Sequence, residues 1–233
     1  MRIDVRTEPF TYLTIENLIS KQDQDFLYNI CEEACLPHEE SINDLSFFVL
    51  EQDKHKLDTH GIEWCKNNSV VMNNVGVPLK EGSAEEKRWW DISHNMKVKL
   101  QSSAVVRHFP LKTNERGPCE WGMGLTITSD YREHPLTPHT DDPTEIREYA
   151  LANGLPTTSG IYKGVAFLTK DGIDYTDYGT RFYKTKEYSS EIEEIPFVGG
   201  NSCFFVAGPN SYHGTHFPNG LPNKRFSISL EYY

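Results

Sequence analysis

The fold is decided by residues 195–233, IPFVGGNSCFFVAGPNSYHGTHFPNGLPNKRFSISLEYY. This stretch contains two runs of strand-forming residues, 201–207 and 225–233, with Gly, Pro and Asn between them. In the second run Arg225, Ser227 and Ser229 alternate with apolar side chains, which is the period of a strand with one buried face. We therefore predict two strands, the second with a polar face that begins at Arg225.

Similar patterns continue toward the N-terminus. Residues 121–128 alternate apolar side chains with Gly and Thr, and residues 162–168 and 180–184 are further strand-like runs. Residues 21–35 and 84–101 instead carry apolar side chains at helical spacing. A short strand is also predicted at 11–15.

The order of these elements predicts an α+β chain. Its length of 233 residues fits one domain, 1–233. Within it we expect residues 1–105 to be mostly helical support and residues 106–233 to form the core, an antiparallel sandwich or barrel.

The composition excludes several classes of function. The chain has 23 Lys+Arg against 34 Asp+Glu, a net charge of −11, and it has no Lys/Arg-rich run, which disfavours nucleic acid as a partner. Its longest apolar run is far too short to span a membrane, and residues near the N-terminus lack a signal-peptide core. Five cysteines without regular spacing fit a reduced protein. We expect a cytoplasmic protein with a small-molecule substrate.

Two histidine-containing segments suggest a metal site. His139 and Asp141 lie two residues apart, so on an extended segment an imidazole and a carboxylate face the same way. Asp142 is an alternative carboxylate, expected on the opposite face. His213 or His216 would complete two imidazoles and one carboxylate, the set that leaves open positions on non-haem Fe(II).

A second feature would hold a carboxylate. On the polar face of the last strand Arg225 and Ser227 follow each other at i and i+2, and together they offer a planar guanidinium fork and a hydroxyl. Arg181 could serve a substrate carboxylate if it faces inward, and Trp121 could line a substrate pocket.

The metal set beside the Arg-x-Ser pair, on a chain with a β-rich second half, resembles the Fe(II)/2-oxoglutarate-dependent dioxygenases, and among them the prolyl-4-hydroxylase-like branch. The resemblance also covers the segments FTYLTIENLISKQDQDFLYNICEEA and YGTRFY and the closing SYHGT and RFSISLEYY. It implies a double-stranded β-helix, a jelly-roll or cupin-like barrel with supporting N-terminal helices.

The resemblance also assigns roles by position. It implies that His139, Asp141 and His213 bind Fe(II), with His216 as the alternative to His213, and that Arg225 and Ser227 bind the far carboxylate of 2-oxoglutarate. It places Tyr131 near that cosubstrate. Relatives that halogenate carry Gly or Ala where Asp141 stands here, so the resemblance implies hydroxylation or another oxidation, and not halogenation.

The implied activity is hydroxylation of an unactivated C–H bond of a small molecule such as a free amino acid. The cofactors would be Fe(II), 2-oxoglutarate and O2, with ascorbate as an additional expected cofactor, and the products would include succinate and CO2. One alternative of the same class is a peptidyl-prolyl hydroxylase. Another class is a cupin-type isomerase, hydrolase or ligand-binding module, in which His139, His213 and His216 would bind zinc without 2-oxoglutarate.

Overall fold

The computed structural model describes residues 1–42, 45–50, 54–60, 74–77, 79–108, 121–128, 138–142, 144, 162–215 and 224–232. The strands in this part of the chain are β1 (Arg2–Arg6), β2 (Tyr12–Glu16), β3 (Cys35–Ile42), β4 (Leu45–Leu50), β5 (Asn74–Gly76), β6 (Trp121–Thr128), β7 (Tyr162–Leu168), β8 (Thr180–Tyr183), β9 (Glu191–Ile195), β10 (Ser202–Val206), β11 (His213–Gly214) and β12 (Arg225–Tyr232). The helices are α1 (Lys21–Ala34), α2 (Lys54–His60), α3 (Ala84–Leu100) and α4 (Ser103–Val106), with a 3-10 turn at Tyr188–Ser190.

Two antiparallel sheets make up most of the fold. The large sheet has the order β1-β2-β10-β7-β12-β6-β5, and the small sheet has the order β11-β8-β9. An isolated antiparallel bridge between His139 and His213 extends the small sheet beyond β11. Strands β3 and β4 pair separately. Antiparallel sheets with few helices fit the predicted α+β class and suit a jelly-roll.

The large sheet also takes strands from the region that sequence analysis expects to be mostly helical. Strands β1, β2 and β5 all belong to it, and β2 pairs with β10 from the C-terminal half. Residues 1–105 therefore supply strands as well as helices. One edge of β10 pairs with β7, and its other edge hydrogen-bonds to β2, which lies far away in sequence.

Strand β12 separates two environments. Phe226, Ile228 and Tyr232 pack into the core cluster that also contains Leu27 of α1 and Met96 of α3. Arg225, Ser227, Ser229 and Glu231 point to the other face and line a cavity. The alternation predicted from the sequence is confirmed, and it puts the polar face between the two sheets.

Helix α3 shows why its sequence forms a helix and which face it buries. The Ser83 hydroxyl accepts a hydrogen bond from the backbone N–H of Glu86 at 3.0 Å, so it caps the first turn. Among the apolar side chains that lie at helical spacing in the predicted helix 84–101, Trp89, Ile92 and Met96 are buried against the large sheet. None of the helices in the described residues is both long and apolar enough to cross a membrane.

Met96→Ala should lower the free energy of unfolding by about 2–5 kcal/mol, because it removes a side chain that is 1% exposed and leaves a cavity. Val98→Ala on the same helix is the control. Its side chain is 55% exposed, so the change should stay within about 0.5 kcal/mol. Urea unfolding of both variants measures the difference, and equal effects would contradict the packing described for α3.

Candidate metal and carboxylate site

A pair of backbone hydrogen bonds brings the two histidines together. The N–H of His139 donates to the carbonyl of His213, and the N–H of His213 donates to the carbonyl of His139, both at 2.9 Å. The imidazole centroids consequently lie 4.5 Å apart. Because Asp141 follows His139 by two residues, its carboxylate is directed to the same place.

The side-chain geometry fits a single cation. Asp141 Oδ1 lies 4.0 Å from His139 Nε2, and Asp141 Oδ2 lies 3.4 Å from His213 Nε2. One ligand atom from each of the three residues lies within 4.8 Å of the others. Neighbouring ligands bound at about 2.1 Å to one metal are about 3–4 Å apart, so only small movements are needed. The predicted combination of His139, Asp141 and His213 is therefore brought together by the fold.

The ring of His213 is oriented by a hydrogen bond at the nitrogen that faces away from Asp141. Its Nδ1 lies 2.9 Å from the carbonyl oxygen of Ser211. A carbonyl only accepts, so Nδ1 carries a proton, and Nε2 is the ring nitrogen that faces Asp141. The Phe205 ring, with its centroid 4.5 Å from that of His213, fixes the imidazole from one side.

Asp141 is charged in this setting. Burial by itself would raise its pKa, but the hydrogen bond and charge of His213, together with Lys163 and His139, lower the pKa of Asp141 to about 2. The neighbouring Asp142 has a different role, since its carboxylate accepts from the backbone N–H of Thr144 at 2.8 Å. Asp142 is not one of the described residues that line the cavity.

The candidate metal-binding set, His139, Asp141 and His213, opens into a cavity of ≈ 300 Å³ between the sheets. The same cavity is lined by Arg225 and Ser227 from the inner face of β12. Two features that the sequence places about 85 residues apart, His139 and Arg225, thus face one space.

Arg225 is a buried cation. It is 5% exposed, its Nε donates to the carbonyl of Tyr178 at 2.8 Å, and its Nη2 donates to Thr180 Oγ1 at 3.3 Å. The guanidinium lies 4.9 Å from the centroid of the Phe197 ring. Burial lowers the pKa of Arg225 to about 10, so the group is charged at neutral pH.

No carboxylate among the described residues forms an ion pair with Arg225. Its contacts are to neutral oxygens and aromatic rings, which orient the guanidinium but leave its charge uncompensated. A buried charge without a counterion costs several kcal/mol, about 3–5 in typical cases. The cavity beside Arg225 is thus suited to an anion such as a carboxylate.

Two residues considered for substrate binding lie elsewhere. Arg181 is held by three carboxylates, with Glu191 and Glu194 at 2.8 Å and Asp177 at 3.1 Å, and it is absent from the described lining of the cavity. Residue 194 of β9 lies directly opposite residue 181 of β8. This cross-strand position gives Arg181 an ion-pairing role, and the expected substrate contact is not formed.

Trp121 packs into the core and does not contact the cavity. Its ring lies against Phe204 and Tyr232, with centroid distances of 5.8 and 5.2 Å. It shares its face of β6 with Leu125, whereas Thr126 and Thr128 line the cavity. The period of two therefore places Trp121 on the wrong side of the sheet for substrate binding.

Tyr131 and His216 lie outside the described residues, so their assignment to the cosubstrate and to the metal stays a prediction. The structure adds two cavity residues that the sequence analysis missed, Lys163 and Glu231. A signal for both is visible in the sequence. Glu231 lies an even number of residues after Arg225 and therefore on the same face of the strand. Lys163 is the charged residue of the otherwise uncharged run YKGVAFL.

Comparison with known proteins supports the fold. No family model matches the chain, and no curated protein matches it. Among solved structures it is similar to a prolyl hydroxylase from Trichoplax adhaerens, in complex with a hypoxia inducible factor peptide fragment. The TM-score is 0.50 and the identity 10%, over 95% of this chain and 83% of that one.

Two further structures share the similarity at lower scores. A Pseudomonas putida prolyl-4-hydroxylase has a TM-score of 0.47 and 8% identity, over 95% of this chain and 91% of that chain. The non-heme alpha ketoglutarate dependent epimerase SnoN, from nogalamycin biosynthesis, has a TM-score of 0.46 and 10% identity, with coverages of 95% and 77%. The likeness to the Trichoplax adhaerens protein confirms, at the level of the fold, the resemblance that the sequence indicates.

Asp141→Asn should weaken Co(II) binding by more than about 100-fold. Mutation of a residue that only supports a metal ligand already weakens metal binding by about 10–100-fold, and Asp141 would be a ligand itself. Asp142→Asn is the matched control: it removes the same charge one residue away, and its amide oxygen can still accept from Thr144. Titration calorimetry of the metal-free protein with Co(II) measures both. Equal losses, or no loss in either, would contradict the ligand assignment.

Cys203 should resist alkylation in the native protein. It is fully buried between the sheets, and burial raises the pKa of its thiol to about 12, although the Arg225 charge and a Thr180 hydrogen bond act in the opposite direction. At pH 8 the thiol therefore stays protonated, whereas an unfolded cysteine has a pKa of about 8.5. Iodoacetamide labelling followed by peptide mass spectrometry should modify Cys203 only in guanidinium. Equal labelling with and without guanidinium would refute this.

Proposed function

We propose that the chain is an Fe(II)- and 2-oxoglutarate-dependent dioxygenase that hydroxylates an unactivated C–H bond of a small molecule, such as a free amino acid. The observation that carries the proposal is the content of one cavity: two histidines and an aspartate beside a buried arginine without a described acidic partner. A metal site alone would fit many functions. Arg225 has a clear role only if an anionic cosubstrate binds next to the metal.

The finer description of the fold belongs to the same proposal. From β6 onward the chain alternates between the two sheets, except that β8 and β9 follow each other within the small one. Strands β6, β7, β10 and β12 lie in the large sheet, whereas the His139 bridge, β8, β9 and β11 lie in the small one. This alternation supports a double-stranded β-helix, in which the two sheets face each other across the site.

The donor set suits Fe(II). His139, Asp141 and His213 would hold the ion through two neutral nitrogens and one carboxylate, a combination that leaves positions open for other ligands. When bound, Fe(II) together with 2-oxoglutarate supplies the activation of O2 that breaks a C–H bond, with release of succinate and CO2.

The protein contributes binding and orientation. Arg225 and Ser227 would bind the far carboxylate of 2-oxoglutarate, and the contacts of Arg225 to Tyr178 and Thr180 fix the guanidinium before the cosubstrate arrives. Phe205 covers one side of the His213 ring and excludes water from it. Asp141, charged at neutral pH, balances part of the charge of the metal.

A peptidyl-prolyl hydroxylase is the second candidate, and the Trichoplax adhaerens structure, which holds a peptide fragment, is the observation that favours it. The cavity of ≈ 300 Å³ favours a small substrate, since pockets for small molecules have volumes of about 300–1,000 Å³ and this one must also hold 2-oxoglutarate. Hydroxylation of amino-acid pools and of proline-containing peptides, followed by mass spectrometry, separates the two.

Arg225→Gln should raise the Kd for 2-oxoglutarate by about 10–100-fold, because a charge-assisted hydrogen bond is worth about 1.5–3 kcal/mol. The Kd for Co(II) should stay unchanged. Lys224→Gln is the control, since it removes one positive charge from the adjacent position, which is not among the described residues that line the cavity. Calorimetric titrations of each ligand measure both constants.

The activity test is the formation of succinate from 2-oxoglutarate by the purified protein with Fe(II), O2 and ascorbate. We expect succinate to require Fe(II) and to rise when the correct substrate pool is added. If no pool gives succinate and 2-oxoglutarate does not bind, the proposed class is wrong. Zinc binding without any effect of 2-oxoglutarate would favour the cupin-type alternative.

A further inference from the structure

A second pair of charges lies in the same cavity as the metal-binding set. Lys163 of β7 and Glu231 of β12 are direct cross-strand partners, and Lys163 Nζ lies 2.5 Å from Glu231 Oε1. Their side chains are 13% and 31% exposed, and both line the cavity. For an ion pair that is partly removed from water in this way, the free-energy cost of desolvation offsets much of the attraction between the charges. The pair therefore adds little to folding stability.

The position of the pair along β12 separates it from Arg225. Arg225 and Glu231 are separated by five residues of extended chain, so they lie six residue steps or about 20 Å apart. At the far end the backbone of Lys163 pairs with Phe205 on its other side, and the Phe205 ring contacts His213. Lys163 also acts electrostatically on Asp141. The pair is therefore close to the metal-binding side chains, at the opposite end of the strand from the proposed carboxylate site.

The charges in the cavity indicate what kind of molecule fits beside the cosubstrate. Its described lining carries two cations, Lys163 and Arg225, and two carboxylates, Asp141 and Glu231. The two cations and two carboxylates of the lining balance each other. If Fe(II) and the 2-oxoglutarate dianion were bound, their charges would also cancel, and the site would be neutral. A substrate with a net charge would leave one charge uncompensated in a partly buried space, whereas a zwitterion would not.

On this basis, and resting on the proposed function, we infer that Lys163 and Glu231 form a dipolar clamp for a small zwitterionic substrate. The substrate carboxylate binds Lys163 Nζ, and the substrate ammonium binds the Glu231 carboxylate. Binding exchanges one internal ion pair for two intermolecular ones, so each charge in the clamp keeps a partner. The substrate class is a free amino acid with unmodified amino and carboxyl groups, held next to the metal-binding side chains.

The test is calorimetric binding of the twenty common amino acids to protein loaded with Co(II) and 2-oxoglutarate. The tightest binder is then compared with its N-acetyl derivative and with its carboxamide. Each derivative removes one charge, so each should bind about 10–100-fold more weakly than the free amino acid. Failure of every free amino acid to bind, or equal binding of the derivatives, would overturn the clamp.

Two variants assign the charges to their residues. In Glu231→Gln the free amino acid and its N-acetyl derivative should bind alike, because the partner of the ammonium is gone. In Lys163→Met the free amino acid and its carboxamide should bind alike. Lys170→Met and Glu32→Gln are the matched controls, since this Lys–Glu pair is similar, at 2.8 Å, and lies on the surface. They should preserve the discrimination, and its loss in them would contradict the assignment.

A separate titration distinguishes failure of the clamp from failure of the proposed function. Both cavity variants should still bind 2-oxoglutarate. Loss of 2-oxoglutarate binding, with unchanged discrimination between amino acids, would place Lys163 in the cosubstrate site and overturn the inference. If the wild-type protein binds no 2-oxoglutarate, the proposed function fails, and the amino-acid titration of the metal-free protein still decides whether the clamp exists.

The charge-reversed double variant Lys163→Glu/Glu231→Lys distinguishes a role in substrate binding from a purely structural role of the pair. It keeps an ion pair between the strands, so its urea midpoint should match that of the wild type. It presents the charges in reverse order relative to the metal site, and amino-acid binding should fall by about 10-fold or more. Binding at the wild-type level would show that the polarity of the pair is irrelevant and would refute the clamp.

Discussion

The period of two in strand β12 is the constraint on which the rest of the structure depends. This strand is paired on both sides, with β6 and with β7, so its register is fixed by two ladders. One face supplies Phe226 and Ile228 to the core, and the other supplies Arg225 and Glu231 to the cavity. A shift of register by one residue would exchange the two faces and bury charges against α1 and α3. The same pattern thus stabilises the fold and positions the site.

The site combines compensated and uncompensated charges. Arg181 and Lys163 each have a carboxylate partner within about 3 Å. Arg225 contacts only neutral groups among the described residues. In a protein with a net charge of −11 this arrangement is significant. Among the described residues, Arg225 is a cavity cation without an acidic partner, while acidic residues neutralise Lys163 and Arg181.

The sequence predicts local features well because they depend on short-range geometry. The alternation in β12, the helical stripe of α3 and the convergence of His139 and Asp141 all follow from side-chain periodicity, and the structure contains each of them. The choice of His213 required the family resemblance, because spacing alone leaves His216 open. The structure brings His213 to the other two ligands, and His216 is outside the described residues.

Long-range pairing is what the sequence could not predict. Nothing in the local pattern of residues 11–15 shows that this strand joins β10, or that Arg181 lies opposite Glu194. The partnership of Lys163 and Glu231 also depends on the order of strands in the sheet, since 68 residues separate them. Such contacts depend on the order of the strands in the sheet. The two-residue period of a single strand determines only the face on which a residue lies.

The most direct measurement of the central claim is an anaerobic titration of the Fe(II)-loaded protein with 2-oxoglutarate, followed by visible absorption. If the metal-binding set and Arg225 serve one cosubstrate, a charge-transfer band should appear only when Fe(II) and 2-oxoglutarate are both present. It should saturate at one equivalent of 2-oxoglutarate per bound Fe(II). Absence of the band in protein that retains Fe(II) would contradict the account.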